Sequence, residues 1–206
     1  MGEAHYIHDM RPVYAMTPWR IEMPQDMIYG GLSHPIDALR WFFGDVEKVH
    51  AVGCKSAILK DPATGKKYED YSNYMVNLTF GNGAVARALG AYGVVEPPQP
   101  MMGINLYGDK GTACAEFADF LGGSVRVTLD RYEIKRPMES TYPPETEGAF
   151  GHGRTALRYL VDFGNALVND TEPQPSVLEG AKTVAACSAA YESILTGEVV
   201  HVCNAF

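Results

Sequence analysis

The sequence predicts an α+β fold, a large and predominantly antiparallel open-faced sheet with helices packed on one face. Three observations support this prediction. An amphipathic helix precedes a long series of β-type segments, the turns between those segments are mostly short, and two helical segments come last. The sequence shows no internal repeat and no low-complexity linker, so we expect residues 1–206 to form a single domain.

The N-terminal segments predict a strand, a connector and a helix. Residues 3–10 have the length of a short strand, whereas residues 11–26 contain three prolines and no hydrophobic periodicity, which indicates an irregular connector. The first helix follows the connector and ends at Gly44. Its apolar residues are predicted to form one clustered buried face: Ile36, Leu39, Trp41, Phe42 and Phe43.

The middle of the chain predicts about seven or eight strands. Residues 46–54 form the first of these segments, and residues 72–80 and 84–93 are predicted to pair as a hairpin across a Gly-Asn-Gly turn. The remaining predicted strands are residues 104–108, 113–117, 124–130 and 132–136.

The last third of the chain predicts a loop, two helices and a short strand. Residues 137–153 are rich in proline, glycine and acidic residues, which is typical of a long surface loop. A helix is predicted from Arg154 to Val168. The next helix begins with a capping box at Ser176 and Glu179 and ends at Gly197, before a final strand. Apolar residues of the former helix are predicted to lie broadly on one side: Leu157, Leu160, Val161, Phe163, Leu167 and Val168.

Composition and charge exclude several classes of partner. The net charge of -8 and the absence of a basic run argue against nucleic acid. No apolar run is long enough to span a membrane and no signal peptide is evident, so we expect a cytoplasmic protein. The four cysteines are too widely spread for a zinc knuckle or a redox dithiol, and we expect them to be reduced core residues: Cys54, Cys114, Cys187 and Cys203.

One motif superficially matches a dinucleotide-binding fingerprint. Gly81 and Gly83 follow a strand and are spaced correctly with Ala86. However, the next segment is short and interrupted by glycine, where the fingerprint needs a long helix to hold the pyrophosphate. We therefore predict a hairpin turn here. No nucleophile elbow is present either.

A metal site is a further alternative that the spacing of polar residues raises. His5, His8 and Asp9 lie close in sequence, and His34 could join them in space. Side chains alternate along a strand, so His5 and His8 would face opposite sides of the sheet. We therefore predict no metal site.

His34 is the candidate catalytic residue. If Ser33 or Gly31 caps the helix, His34 and Pro35 lie in its first turn, where the missing N–H of proline costs nothing. The positive end of the helix would favour a neutral imidazole that can accept a proton, and Asp37 could orient the ring. The alternative is that His34 is only a capping residue packed beneath the loop.

At these residues the sequence resembles the C-terminal domain of the Gfo/Idh/MocA oxidoreductases. The most specific similarity is in residues 30–49, with two glycines, His34, an Ile-Asp pair, an apolar helix, glycine and valine. Residues 19–20, 106–112 and 173–200 agree as well, so the resemblance covers nearly the whole chain.

The resemblance implies a two-domain enzyme. An N-terminal Rossmann domain would bind NAD or NADP, and this domain would supply most of the substrate pocket and the interface of a homo-oligomer through its sheet face. The chemistry implied is hydride transfer at a carbon of a sugar or cyclitol, with His34 matching the histidine that assists proton transfer. Candidate pocket residues are His8, Asp9, Arg11, Trp19, Arg20 and His152.

Two departures from the family pattern matter. The nucleotide-binding half is absent from this chain, so we expect the chain alone to bind no NAD(P) and to be inactive, like a fragment of a larger dehydrogenase. Many members carry an aspartate four residues before the histidine, where this chain has Gly30; Asp37 or Asp9 could replace it. The rival hypothesis is a non-catalytic scaffold domain that oligomerises and uses no cofactor.

Overall fold

Nine strands build one sheet in the computed structural model, which describes residues 1–98, 100–117, 123–129, 138–142 and 153–206. In chain order the strands are β1 (Gly2–Ile7), β2 (Val46–Cys54), β3 (Asn73–Phe80), β4 (Val85–Ala91), β5 (Met102–Gly108), β6 (Gly111–Phe117), β7 (Gly123–Leu129), β8 (Met138–Tyr142) and β9 (Val200–His201). The α-helices are α1 (Arg11–Met16), α2 (Ser33–Phe43), α3 (Gly153–Val168) and α4 (Val177–Thr196).

The sheet is mostly antiparallel, as the sequence predicts. Its strand order is β8-β7-β6-β5-β1-β4-β3-β2-β9. Only the β1–β4 pair is parallel among the neighbouring strands of this described sheet. The N-terminal strand therefore lies in the middle of the sheet, and its C-terminal end can bring residues 6–9 to a position beside the helices.

Most predicted strands are confirmed, and one was missed. The hairpin is present: β3 and β4 flank a turn in which Gly83 adopts a positive φ of 84°. β8 lies inside the predicted loop and pairs with β7. Pro137 and Pro143 flank β8 in the sequence, and prolines close to a segment favour the prediction of a loop, so the sequence did not indicate this strand. The predicted strand 132–136 lies outside the described residues.

The prediction of an irregular connector over residues 11–26 is wrong. Its first part is α1, and a 3-10 helix covers Pro18–Glu22. Pro12 and Pro18 both lie in the first turn of their helices, where an N–H would have no helical partner in any case. The prolines therefore start helices here instead of preventing them.

The helix α2 buries a narrower face than the sequence suggests. Ile36 and Leu39 are fully buried, whereas Trp41 and Phe42 are 73% and 60% exposed. Residues 36, 39 and 43 lie on one side of a helix of 3.6 residues per turn, and residues 41 and 42 point away from it. Phe43 packs against Phe80 of β3.

The helix α4 covers the sheet beside α2. Its Ala186, Cys187 and Ala190 are fully buried, and the helix lies against β2. The capping box is confirmed in its main contact, since the backbone N–H of Glu179 donates to Ser176 Oγ (3.3 Å), and the helix ends at Gly197 in the left-handed conformation.

The helix α3 does not bury the apolar side that the sequence predicts. Between residues 157 and 168, Ala166 is the one buried residue. Six apolar side chains of this stretch are at least half exposed instead: Leu157, Leu160, Val161, Phe163, Leu167 and Val168. Helical periodicity establishes that a side chain shares a face with others, but it does not establish that another element covers that face.

The expectation that all four cysteines are core residues is wrong. Only Cys187 is buried, whereas Cys54 and Cys203 are exposed and Cys114 is intermediate. Burial raises the pKa of the Cys187 thiol to about 12, so this cysteine is unreactive at neutral pH.

A buried guanidinium joins α2, α4 and β2. The side chain of Arg40 is 3% exposed, and its Nη2 donates to Glu179 Oε2 (2.9 Å) and to Asp45 Oδ1 (3.0 Å). Its Nη1 donates to Thr183 Oγ1 (2.8 Å), and the Thr183 hydroxyl in turn contacts Asp37 Oδ1 at 2.6 Å. This network fixes the position of α2 over the sheet.

Replacing Arg40 with methionine is expected to lower the free energy of unfolding by about 1 to 3 kcal/mol, because the buried hydrogen bonds are lost but the carboxylates left behind are nearly half exposed. The substitution removes the hydrogen bonds that Arg40 donates to Asp45, Glu179 and Thr183, while Lys182 still contacts Asp45 (2.9 Å) and Glu179 (3.4 Å). The measurement is urea denaturation at pH 7. Lys66→Met is the control, because Lys66 and Glu22 form an exposed pair whose removal costs below about 1 kcal/mol. A loss of less than 1 kcal/mol for Arg40→Met would contradict the role of this network.

Candidate functional site

His34 lies inside a continuous helix and not at its mouth. A π-helical turn, Ile28–Leu32, leads directly into α2, and Leu32 has helical φ and ψ angles of -65° and -22°. Ser33 does not cap the helix, because its Oγ donates to the carbonyl of Tyr29 one turn earlier (2.6 Å). The prediction of a first-turn histidine in the positive field of a helix end is therefore wrong.

The π turn has a local cause in Pro35. Proline cannot donate to the carbonyl four residues earlier, and the wider turn comes immediately before it. π turns are rare in α-helices and are frequent at functional sites. The turn leaves Gly30 and His34 exposed on the outer side of the helix, while Gly31 and Leu32 are buried on the inner side.

A close approach between Gly31 and Tyr92 sets the height of this helix above the sheet. A Cβ atom at position 31 would lie 2.7 Å from Tyr92 Cε2 and 2.8 Å from Tyr92 Oη. Tyr92 is fully buried directly after β4. Glycine at position 31 is therefore required by space, because a side chain there would push the helix away from the sheet.

Tyr6 places two of the candidate residues on either side of one aromatic ring. The Tyr6 ring packs edge-on against the His34 ring, with centroids 5.4 Å apart, and stacks on the His8 ring at 5.8 Å. Its hydroxyl oxygen lies 3.3 Å from His8 Nδ1. Sequence reasoning missed Tyr6, although an aromatic residue two positions before His8 shares the same side of a strand.

Arg20 is held rigidly beside Gly30. Its Nε donates to Asp26 Oδ2 (2.9 Å) and its Nη2 donates to Asp26 Oδ1 (3.0 Å), while the Tyr14 hydroxyl donates to Asp26 Oδ2 (3.1 Å). Burial and the Asp26 carboxylate raise the pKa of Tyr14, so it remains a neutral donor. Sequence reasoning missed Asp26, whose position four residues before Gly30 is a helical spacing.

Asp9 and Arg11 form an exposed pair next to this region. Arg11 Nη2 lies 2.6 Å from Asp9 Oδ2, and this bond lowers the pKa of the Asp9 carboxyl to about 2. The stabilisation from this depressed pKa is present above pH 4 and is lost as the pH falls towards 2. Asp9 is therefore ionised at neutral pH and forms an ion pair with Arg11.

The other candidates occupy different surroundings. Asp37 lies one turn after His34, where its carboxylate contacts Thr183 and stands 3.8 Å from Arg40 Nη1. Trp19 precedes Arg20 in the 3-10 helix and is 60% exposed. His152 lies outside the described residues. The structure thus brings together His8, Arg20 and His34 with Tyr6 and Gly30 along one surface.

This surface offers groups for binding and for moving a proton, but it offers no dinucleotide site. The Gly81–Ala86 segment forms the β3–β4 turn and continues as a strand, so the helix that would hold a pyrophosphate is missing from it. Within the described ranges, no three His, Cys, Asp or Glu residues are arranged to hold a metal ion. None of the described helices is long and apolar enough to cross a membrane.

Comparison with known proteins identifies a family and a fold. The model of an oxidoreductase family, described as the C-terminal alpha/beta domain of the Gfo/Idh/MocA group, matches residues 1–202. None of the curated proteins matches the chain.

Solved structures give similar folds at low identity. An oxidoreductase from Agrobacterium radiobacter, in complex with NAD+, L-tartaric acid and magnesium, has a TM-score of 0.79 at 21% identity over 97% of this chain and 56% of its own. Levoglucosan dehydrogenase with NADH and levoglucosan has a TM-score of 0.79 at 18% identity over 99% and 59%. The aldose-aldose oxidoreductase from Caulobacter crescentus, complexed with glycerol, has a TM-score of 0.68 at 18% identity over 98% and 55%. The chain therefore spans less than two thirds of each of these proteins.

Replacing Gly31 with alanine is expected to lower the free energy of unfolding by about 1 to 3 kcal/mol, because the new methyl group overlaps the Tyr92 ring. Gly180→Ala in α4 is the matched control. A Cβ there meets open space, so the change is expected to be neutral or to stabilise by up to about 1 kcal/mol. Urea denaturation measures both variants. Equal effects would show that the helix does not rest on Tyr92.

Proposed function

The chain belongs to the Gfo/Idh/MocA oxidoreductase family as its C-terminal alpha/beta domain, and from this premise we propose that it is the substrate-binding and oligomerisation domain of an NAD(P)-dependent dehydrogenase. Its substrate would be a sugar or cyclitol. The dinucleotide would be held by a Rossmann domain, and we expect residues 1–206 to be inactive without one.

The observation that carries this proposal is the placement of His34. The imidazole is exposed on a helix that is fixed to the sheet, and it lies against Tyr6 beside His8. An exposed imidazole in contact with a phenol can accept the proton of a substrate hydroxyl and return it in the reverse direction. We assign His34 the role of general acid and base. That Asp37 orients its ring stays a prediction from the sequence, since the Asp37 carboxylate accepts a hydrogen bond from Thr183.

The proposed substrate class has support from the solved structures of similar fold. Levoglucosan, L-tartaric acid and glycerol, each bound in one of them, all carry several hydroxyl groups. In this chain the exposed surface around His34 is rich in side chains that bind hydroxyl groups by hydrogen bonds. The residues proposed to line the substrate pocket are those that the sequence predicts: His8, Asp9, Arg11, Trp19, Arg20 and His152.

The uncovered face of the sheet is the proposed surface of a homo-oligomer. Met75 of β3 is 57% exposed and lies between Val52 of β2, also 57% exposed, and Leu89 of β4. Leu89 is of intermediate burial, so the exposed apolar pair is Val52 and Met75 on neighbouring strands, and such a pair can mark a surface that another protein covers. The same row would serve the rival function, a non-catalytic scaffold domain, so oligomerisation alone does not separate the two.

Replacing Met75 with aspartate is expected to convert the oligomer to a monomer, because the interface would bury an unpaired charge. Size-exclusion chromatography with light scattering measures the mass. Val184→Asp changes an exposed apolar residue on the helical side and is expected to leave the oligomer intact. An oligomer that persists in Met75→Asp would place the interface elsewhere.

Replacing His34 with alanine is expected to lower kcat by about 10²- to 10⁴-fold in an enzyme that joins this chain to its nucleotide-binding domain. The loss reflects the missing proton acceptor. His201→Ala, an exposed histidine of β9, is the control and should retain full activity. An unchanged kcat in His34→Ala would show that His34 has only a structural role and would favour the scaffold function.

A further inference from the structure

Gly30 leaves one edge of the Arg20 guanidinium uncovered beside His34. A Cβ atom at position 30 would lie 3.1 Å from Arg20 Nη2 and 3.7 Å from Asp26 Oδ1. Gly30 is exposed, so the atom nearest to its bare backbone on the outer side of the helix is a cationic nitrogen. Any larger residue at position 30 would crowd this nitrogen.

Resting on the proposed function, we propose that Arg20 binds a carboxylate of the substrate, so that the substrate is an acidic sugar or polyol and not a neutral one. A guanidinium has two edges that can each bind a carboxylate through two parallel N–H bonds. Asp26 takes the edge formed by Nε and Nη2. Among the described residues, the edge formed by Nη1 and the second Nη2 proton makes no hydrogen bond, and the Arg20 side chain is 21% exposed, so this edge can bind a ligand.

Asp26 is the positioning residue in this arrangement. It is 7% exposed and accepts bonds from both Arg20 and the Tyr14 hydroxyl. The Asp26 carboxylate is therefore hydrogen-bonded within the protein. It fixes the planar guanidinium of Arg20 before any ligand binds, which reduces the entropy lost on binding. A free arginine on a loop would lack this pre-organisation.

The spacing between Gly30, which adjoins Arg20, and His34 suits a small substrate. Gly30 and His34 lie four positions apart on one continuous helix, which is a rise of about 6 Å. This spacing fits a polyol of four to six carbons whose carboxylate lies on Arg20 and whose reacting hydroxyl lies at His34. The chain carries a net charge of -8 and Asp26 balances the charge of Arg20, so the carboxylate would be held by the directed N–H bonds of the fixed guanidinium and not by long-range attraction.

The test is isothermal titration calorimetry of this chain with D-gluconate and with D-glucitol, which differ only in that a carboxylate replaces one primary alcohol. We expect the chain to bind D-gluconate at least about tenfold more tightly. Arg20→Gln should weaken D-gluconate by about 10- to 100-fold and change D-glucitol by less than about twofold. Arg158→Gln, an exposed arginine of α3, should change neither.

Two further variants separate recognition from folding. Asp26→Asn frees the guanidinium and is expected to weaken D-gluconate selectively. Gly30→Ala retains every charge, crowds Nη2 and is expected to do the same, so the proposal stays testable if the buried Asp26 variant fails to fold.

The outcomes distinguish this inference from the proposed function. If the unaltered chain binds both ligands equally, or if Arg20→Gln weakens both equally, the carboxylate inference is wrong and the proposed substrate-binding function stands. If neither ligand binds, both are wrong. Selective loss of D-gluconate in Arg20→Gln and Gly30→Ala supports both.

Discussion

The buried guanidinium of Arg40 is the interaction on which the position of the candidate site depends. It joins α2 to α4 through Glu179 and to the start of β2 through Asp45. Removing such a charge from water is costly, so the arrangement is stable only because several acceptors surround it. At the other end of the same helix, Gly31 lies on the ring of Tyr92. His34 lies between Gly31 and Arg40 on this helix, so the contacts of these two residues fix its position.

Because the helix is fixed, the exposed residues Gly30 and His34 keep a constant spacing, so Arg20 beside Gly30 and His34 itself can bind one ligand together. The π turn orients the chain so that Gly30 and His34 face outward while their neighbours are buried. β1 then brings Tyr6 against His34, and the 3-10 helix brings Arg20 against Gly30. Sites built on helices and strands hold their geometry better than sites built on loops. Many members of the family that the sequence resembles carry an aspartate at the position of Gly30. The glycine found here has no side chain, so Nη2 of Arg20 is not crowded from this position.

The sequence predicts those features that depend on local chemistry. The β3–β4 hairpin follows from its Gly-Asn-Gly turn, and the start of α4 follows from Ser176 and the residues after it. The features that were missed depend on distances between elements remote in sequence. The contact between Tyr6 and His34 and the hydrogen bonds from Arg20 to Asp26 are set by how α2, β1 and the 3-10 helix pack, which periodicity does not encode.

A crystal structure of the protein with bound D-gluconate would test most directly whether His34 and Arg20 belong to one substrate site. We expect the carboxylate on the outer edge of the Arg20 guanidinium, a hydroxyl group within hydrogen-bond distance of His34, and little movement of the helix between Gly31 and Arg40. D-gluconate bound instead in the groove between α4 and β9, which is lined by Ser188, His201 and Cys203, would contradict this assignment.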